Sequence, residues 1–200
     1  MLQHLRPALV LTLLFTLLTG VAYPLAITGF AAVVFPQQAQ GSLVKRDGNV
    51  VGSSLVGQAF TTDRYFHPRP SATSAADPMD VSKTIEAPYN AANSSGSNLG
   101  PLSQKLIDRV AGDADRLKSA GARDVPADAV TTSASGLDPD ISPAFAALQV
   151  SRVASARGLP EERVRALVEA RTEQRLFGLI GEPRVNVLLL NLALDEVQSR

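Results

Sequence analysis

The feature that most restricts the fold of this sequence is an uncharged, apolar stretch near its amino terminus. Residues 7–35 contain no Asp, Glu, Lys or Arg, and they include the dense run LVLTLLFTLLTG. A helix rises about 1.5 Å per residue, so about 20 such residues cross the hydrocarbon core of a bilayer. The stretch therefore predicts one transmembrane helix over residues 7–35, preceded by a short tail of residues 1–6. The lipid bilayer is the first expected partner.

A cleaved signal peptide is the alternative interpretation of this stretch. Arg6 would supply its basic start, and the Gly-Val-Ala sequence at 20–22 offers small residues at a cleavage site. The apolar character nevertheless continues through Ile27 to Val34, which a cleaved signal would not require. We therefore predict a retained anchor, with Pro24 kinking the helix or ending its first straight section.

The charges flanking the anchor leave its orientation nearly undecided. Arg6 precedes the helix, while Lys45 and Arg46 follow it closely, so the positive-inside rule favours neither side. The very short tail before the helix resembles a signal anchor. It mildly favours a carboxy-terminal domain outside the cytoplasm.

The composition of the remaining chain excludes several classes of function. Basic and acidic residues balance at 19 each, so net charge gives no indication of nucleic-acid binding. Because the chain has no cysteine, a disulfide scaffold, thiolate metal sites and cysteine nucleophiles are excluded. Six arginines and four glutamates between residues 152 and 175 are typical of a solvated, salt-bridged helical face.

Local patterns predict a small α+β domain over residues 36–200. The Asp47-Gly48 pair between β-formers favours a hairpin over 43–51, and the Pro-, Ser- and Asn-rich residues 61–100 predict a long loop. Three helices are expected: one from Pro101 to about Gly121, one opening at Ser142-Pro143 and ending at Gly158, and one starting at Pro160. The alternating leucines of 185–194 favour a closing strand, with a buried helix as the alternative.

Catalytic and metal-binding patterns are not found in the sequence. It has no phosphate loop and no DKTGT-type aspartate, and its two histidines are too isolated to predict a metal site. Asp138 and Asp140 flank a proline, which is typical of turn formers rather than of an acid/base pair. We therefore predict no catalytic residue, no metal site and no intrinsic cofactor.

Three loop segments are candidates for binding a protein partner. Pro68-Arg69-Pro70 presents one arginine between two rigid residues, and the Gly/Ser/Asp-rich segments 93–101 and 133–143 expose turns. The alternative is that all three are simply well-formed turns. The residues we expect to bind a partner are Arg69, Pro70, Ser97, Asn98, Leu99 and Asp138.

These segments also carry a resemblance to a known family. The chain resembles the C subunit of the bacterial Kdp potassium-importing ATPase complex, through seven ordered segments that cover nearly its whole length. They are the anchor with Tyr23-Pro24, VGSSLVGQAF (51–60), YFHPRPSA (65–72), YNAANSSGSNLGP (89–101), SASGLDPDISP (133–143), RVASARGL (152–159) and GEPRVNVLLLNLALD (181–195).

The resemblance implies an accessory subunit without catalytic activity, in the bacterial inner membrane, with its domain outside the cytoplasm. The expected partners are a channel-like potassium-binding subunit, a P-type ATPase subunit and a very small peptide. The family's C subunit is needed for assembly and is described as raising the pump's ATP affinity, which makes Gln149 a candidate nucleotide contact. Two alternatives remain: a nucleotide-binding regulator, and an anchored extracytoplasmic binding module not tied to potassium.

The first testable prediction concerns the anchor, which we expect to be retained because its apolar stretch extends well beyond residue 22. Intact-mass measurement of membrane-extracted protein should give the full-length chain. A mature protein that begins at Tyr23 would contradict the prediction.

Overall fold

The computed structural model describes residues 2–198, and the chain divides after Ser53 into two compact units. The first unit is dominated by one long helix. It comprises a 3-10 turn (Leu2–His4), α1 (Leu5–Leu17), a π-helical turn (Leu18–Ala22) and α2 (Tyr23–Val34). Together, Leu5–Val34 form 30 helical residues that contain an 18-residue window of mean hydropathy 2.0, and no residue from Leu5 to Val34 is buried. The predicted apolar helix is present, and it is long enough to span a bilayer.

The helix continues through Pro24 instead of ending there. Pro24 has no N–H to donate to the preceding turn, and the π-helical turn lies immediately before it. Thr19 bonds back to the helix, because its Oγ1 donates to the Phe15 carbonyl at 2.6 Å. The irregularity is therefore absorbed inside a continuous helix.

A β-hairpin closes the first unit, after the short helix α3 (Pro36–Ala39). Strands β1 (Leu43–Arg46) and β2 (Asn49–Ser53) pair antiparallel. Asp47 and Gly48 connect them with φ values of 51° and 80°, as a type I′ turn requires. The predicted hairpin is confirmed.

The second unit combines helices with two small sheets, which confirms the α+β class. In one sheet β3 (Ser74–Ala76) pairs with β4 (Thr84–Glu86); both strands fall in the region predicted as loop. The remaining elements of this unit are, in chain order, α4 (Gln104–Ser119), α5 (Ala127–Val130), β5 (Asp140–Ile141), α6 (Pro143–Arg157), α7 (Glu161–Ala170), β6 (Thr172–Glu173), β7 (Arg184–Asn186) and α8 (Val187–Gln198). Strands β5, β7 and β6 form the other sheet in that order, and all of its pairs are antiparallel.

Helix α6 begins and ends where the sequence predicted. The Ser142 hydroxyl accepts a hydrogen bond from the Phe145 N–H at 3.0 Å, Pro143 occupies the first turn, and Gly158 ends the helix with φ 66°. The start predicted for α4 was wrong. Pro101 lies in a turn closed by Ser103 N–H and the Gly100 carbonyl, and the helix begins at Gln104.

The predicted closing strand over 185–194 was also wrong beyond Asn186, where α8 begins. The buried positions of this helix include Val187, Leu190 and Leu194, which follow the helical spacing of three and four residues. Leu190 and Leu194 belong to both the helical and the alternating sets of positions. The hydrophobic pattern therefore fits both periods, and packing decides between them.

The core of the second unit forms between α6, α7, α8 and β7. It is built mainly of small and branched apolar side chains with one aromatic group from the long loop; its fully buried members include Val150, Val153, Val164, Val185, Leu190, Leu194 and Phe66. Phe66 anchors the residues around it to the helices.

Residues 63–67, which we call the tethered segment, have backbone groups bound by side chains rather than by a neighbouring strand. The Asn191 amide accepts from Phe66 N–H at 2.8 Å and donates to the Phe66 carbonyl at 3.0 Å. Gln149 does the same at His67, at 2.8 and 3.1 Å. Each amide thus supplies the donor and acceptor that a paired strand would supply.

Two arginines bind the remaining carbonyls of the tethered segment. Arg152 donates to the carbonyls of Asp63 and Tyr65, and Arg157 Nε donates to that of Arg64 at 2.6 Å. The Arg157 side chain is 0% exposed and pairs with Asp195 at 2.9 Å. The expected solvated arginine face is therefore wrong at Arg157, because its guanidinium is needed inside.

The second prediction tests this tethering through Asn191→Leu, which keeps the side-chain size but leaves both buried backbone groups of Phe66 unpaired. Each such group costs about 1–3 kcal/mol, so we expect a loss of roughly 2–4 kcal/mol in unfolding free energy. Denaturant titration of the purified chain in detergent measures it. Gln174→Leu, at an exposed amide, is the matched control and should change little. Equal stability of the Asn191→Leu and wild-type chains would contradict the prediction.

Candidate functional site

Three loop stretches of the second unit join into one surface, here called the loop platform: residues 68–73, 89–99 and 131–138. Their backbones are bonded directly to one another. Ser133 N–H donates to the Pro70 carbonyl at 3.1 Å, and Ser95 N–H donates to the Ser135 carbonyl at 3.0 Å. Segments distant in sequence are thus fixed in one rigid arrangement.

Arg69 and Asp138 form the ion pair of the platform, with 2.8 Å between Arg69 Nη1 and Asp138 Oδ2. Their side chains are 24% and 28% exposed, so the pair is partly shielded from water. Arg69 Nη2 also lies 3.4 Å from Thr131 Oγ1, while its buried Nε has no hydrogen-bond partner among residues 2–198. The arginine that the sequence offered to a partner is engaged within its own domain.

Tyr89 fixes the backbone of Arg69, one member of this ion pair. Its hydroxyl donates to the Arg69 carbonyl at 2.8 Å, and its backbone is held at φ 61°. Burial, followed by the charge of Asp138, raises the pKa of Tyr89 well above its ordinary value. The hydroxyl therefore remains a protonated donor at all physiological pH values.

Two glycines allow the loops to approach backbone to backbone. A Cβ on Gly136, which has φ 68°, would meet Thr73 Cγ2 and come within 2.6 Å of the Ser95 carbonyl oxygen. A Cβ on Gly96 would lie 2.6 Å from the Ala134 carbonyl oxygen. Only glycine fits at either position without displacing the neighbouring loop.

The other residues expected to bind a partner lie on or beside this platform. Ser97 Oγ accepts from Thr132 Oγ1 at 3.2 Å, which links it to the third loop. Asn98 is exposed in the left-handed region at φ 50°, and Leu99 is half-buried. The structure thus brings Arg69, Pro70 and Asp138 together, with 97–99 on a linked loop. Binding of a partner by these residues stays a prediction.

Gln149, the candidate nucleotide contact, lies under the tethered segment. Its Oε1 accepts from His67 N–H and from Arg152 Nη2 at 2.7 Å, and its Nε2 donates to the His67 carbonyl. It lines two adjoining grooves, of about 520 and 460 Å³, together with Arg152 and Leu117. Through these contacts Gln149 holds the backbone of His67 in place. A nucleotide contact at Gln149 stays a prediction.

Titratable side chains near the platform form hydrogen bonds to nearby backbone groups. Asp138 Oδ1 accepts from Asp140 N–H at 3.0 Å, as expected of a turn former. Burial raises the pKa of Asp140, with Arg184 opposing the shift, and burial lowers the pKa of His67. No group of three or more His, Cys, Asp or Glu side chains within residues 2–198 could hold a metal ion.

Sequence reasoning missed several residues that hold the site together. Asn191, Arg157 and Tyr89 each bind the backbone of the residues before the platform or within it. A buried Asn amid leucines in 185–194 was the available signal, since a polar side chain on an apolar face needs a partner. The partner itself is 125 residues away in sequence and could not be inferred.

One apolar helix long enough to span a bilayer, followed by a small α+β domain, defines the class of a single-pass membrane protein. Comparison with known proteins finds one family over nearly the whole chain. Residues 5–196 match the family model KdpC, described as K+-transporting ATPase, c chain. The chain belongs to the KdpC family.

Two relatives show how close the match is. The chain is 66% identical over 196 residues to the potassium-transporting ATPase KdpC subunit of Rhodopseudomonas palustris (strain BisB18), covering 98% of each. It is 65% identical over 201 residues to that of Methylobacterium nodulans, covering 100% of each. The resemblance seen in the sequence is confirmed, and the chain is a subunit of a potassium-transporting ATPase.

The third prediction concerns the ion pair of the platform. Arg69→Ala should lower the unfolding free energy by about 1–3 kcal/mol, because Asp138 loses a charged hydrogen-bond donor. A double-mutant cycle with Asp138→Ala, followed by denaturant unfolding, should give a coupling of at least about 0.5 kcal/mol. Arg116→Ala is the control, because the Arg116 side chain is 76% exposed.

Assembly with partner subunits separates the two roles considered for Arg69. An internal role alone predicts that Arg69→Ala and Asp138→Ala impair assembly equally. A greater assembly defect in Arg69→Ala would reveal a partner contact. Unchanged stability with no coupling to Asp138 would contradict the internal role.

Proposed function

We propose that the chain is the accessory subunit, without catalytic activity, of an ATP-driven high-affinity potassium importer in the bacterial inner membrane, and that it assembles and stabilises that complex. The observation that carries the proposal is the unburied apolar helix Leu5–Val34 in a chain of the KdpC family. A fully exposed apolar helix requires lipid or other membrane helices around it.

The partners in this proposal are a channel-like potassium-binding subunit, a P-type ATPase subunit and a small peptide subunit. ATP hydrolysis is assigned to the P-type subunit, since this chain carries neither a phosphate loop nor a DKTGT-type aspartate. The relatives' names place them in a potassium-transporting ATPase, which favours this role over a binding module unrelated to potassium.

The loop platform is the surface we propose for contact with a partner subunit. Its loops are fixed by backbone hydrogen bonds, the Arg69–Asp138 pair and close glycine contacts. A rigid surface loses little conformational entropy on binding, which favours a stable complex. The partly exposed edge of the ion pair offers polar groups at the rim of such a contact.

We further propose that the second unit lies outside the cytoplasm. Such a domain cannot meet cytosolic ATP, so any increase in the ATP affinity of the pump would be transmitted through the complex. The internal bonds of the Gln149 amide agree with this view, since they use the groups a nucleotide would need. The domain would then act on subunits facing the potassium source.

The fourth prediction tests this placement by cysteine labelling, for which the chain offers a natural background without cysteine. Ser119→Cys, at the exposed last residue of α4, should react with a membrane-impermeant maleimide in intact cells stripped of their outer membrane. Gln3→Cys, in the exposed tail, is the matched control and should react only after permeabilisation. The reverse pattern would overturn the extracytoplasmic placement.

The assembly role has its own readout in the same cells. Membranes lacking this chain should lose potassium-stimulated ATP hydrolysis and co-purification of the remaining subunits, and the full-length chain should restore both. Full activity of a complex without this chain would contradict the proposal.

A further inference from the structure

An exposed apolar loop connects β6 to β7 and belongs to none of the sites described above. This loop, residues 174–183, is called the apolar finger. Its four large apolar side chains point into solvent: Leu176 is 58% exposed, Phe177 85%, Leu179 83% and Ile180 63%. A contiguous cluster of this kind on a soluble domain marks an interaction site.

The finger is closed on itself rather than loose. Leu176 N–H donates to the Ile180 carbonyl at 2.9 Å, and Ile180 N–H donates back at 3.0 Å. Arg175 and Glu182 form an ion pair at its neck, and Glu173 pairs with Arg184 at 3.0 Å across its base. Its apolar side chains are therefore presented by a pre-organised frame.

Phe177 occupies a backbone conformation that aromatic residues rarely adopt. Its φ is 54°, beside Gly178 at 73°. A bulky side chain in the left-handed region costs free energy, whereas Asn or Gly would fit there readily. An exposed aromatic side chain in a strained turn contributes nothing to the core. Strain of this kind is found where a side chain serves a function.

We propose that the apolar finger inserts into a hydrophobic pocket on another subunit of the potassium-transporting ATPase, with Phe177 as its central anchor. The inference rests on the proposed assembly function and gives it a specific contact. Rigid aromatic anchors surrounded by apolar neighbours are typical of energetic centres in protein interfaces.

The charges around the finger favour a protein pocket over the lipid surface. Segments that bind anionic bilayers carry clusters of Lys or Arg beside apolar Trp, Phe and Leu side chains, and Trp and Tyr are enriched at membrane interfaces. Residues 174–183 contain a single basic residue, Arg175, which pairs with Glu182, and they contain no Trp or Tyr. The Arg175–Glu182 pair places balanced charges beside the apolar side chains, which matches an apolar cavity with a polar rim.

Phe177→Asn tests the anchor in the full-length chain. Asparagine tolerates the left-handed conformation, so the chain should remain at least as stable to denaturant as the wild type. Its affinity for the other subunits, measured by co-purification at graded concentrations, should fall roughly tenfold or more, as for an interface hot spot. Wild-type affinity in Phe177→Asn would overturn the proposal.

Met79→Asn is the matched control, because Met79 is 94% exposed in the turn between β3 and β4. It should leave assembly unchanged, and an equal loss in both variants would overturn the assignment to the finger. A wild-type chain that fails to co-purify at all would instead refute the proposed assembly function. The two failures are therefore distinguishable.

A fluorescence measurement tests the alternative that the apolar finger inserts into the lipid bilayer. The chain has no tryptophan, so Phe177→Trp introduces a single reporter. In the full chain reconstituted alone in phosphatidylcholine–phosphatidylglycerol vesicles, its emission should be that of a water-exposed indole. Brominated acyl chains should not quench it. A blue-shifted emission quenched by brominated lipid would overturn the protein pocket in favour of membrane insertion.

Discussion

The second unit depends on one kind of interaction: side chains of α6 and α8 bind the backbone of residues 63–67. This segment has no partner strand, so its backbone groups are bound by Gln149, Asn191, Arg152 and Arg157, and those of Phe66 are buried. An unpaired buried group costs more than an ordinary hydrogen bond contributes. The four side chains therefore decide whether Phe66 can enter the core.

Arg157 shows how closely this tethering is linked to the rest of the domain. Its fully buried guanidinium binds the Arg64 carbonyl, pairs with Asp195 on α8 and lies 4.9 Å from the centre of the Tyr65 ring. A buried charge is stable only when it is paired and hydrogen-bonded. Helices α6 and α8 and the long loop are thus joined at a single cation.

The loop platform begins where the tethered segment ends. Because the backbone of His67 is held by Gln149, the position of the following Pro68-Arg69-Pro70 is restricted. Arg69 there pairs with Asp138, and its carbonyl accepts a hydrogen bond from Tyr89. Glycines then let the third loop pack against the others without side chains between them. The surface proposed for a partner subunit therefore depends on the hydrogen bonds that hold the tethered segment.

The sequence by itself determined the features that depend on local chemistry. The spanning helix follows from uncharged length, the first hairpin from Asp47-Gly48, and the bounds of α6 from Ser142 and Gly158. The ordered motifs also identified the family. Only the tertiary structure decided that 187–194 is helical, because the dense apolar residues of this stretch fit both the helical and the alternating period. Only it paired Arg69 with Asp138 and Asn191 with Phe66, because such pairs form between residues far apart in sequence, where local pattern carries no information about distance.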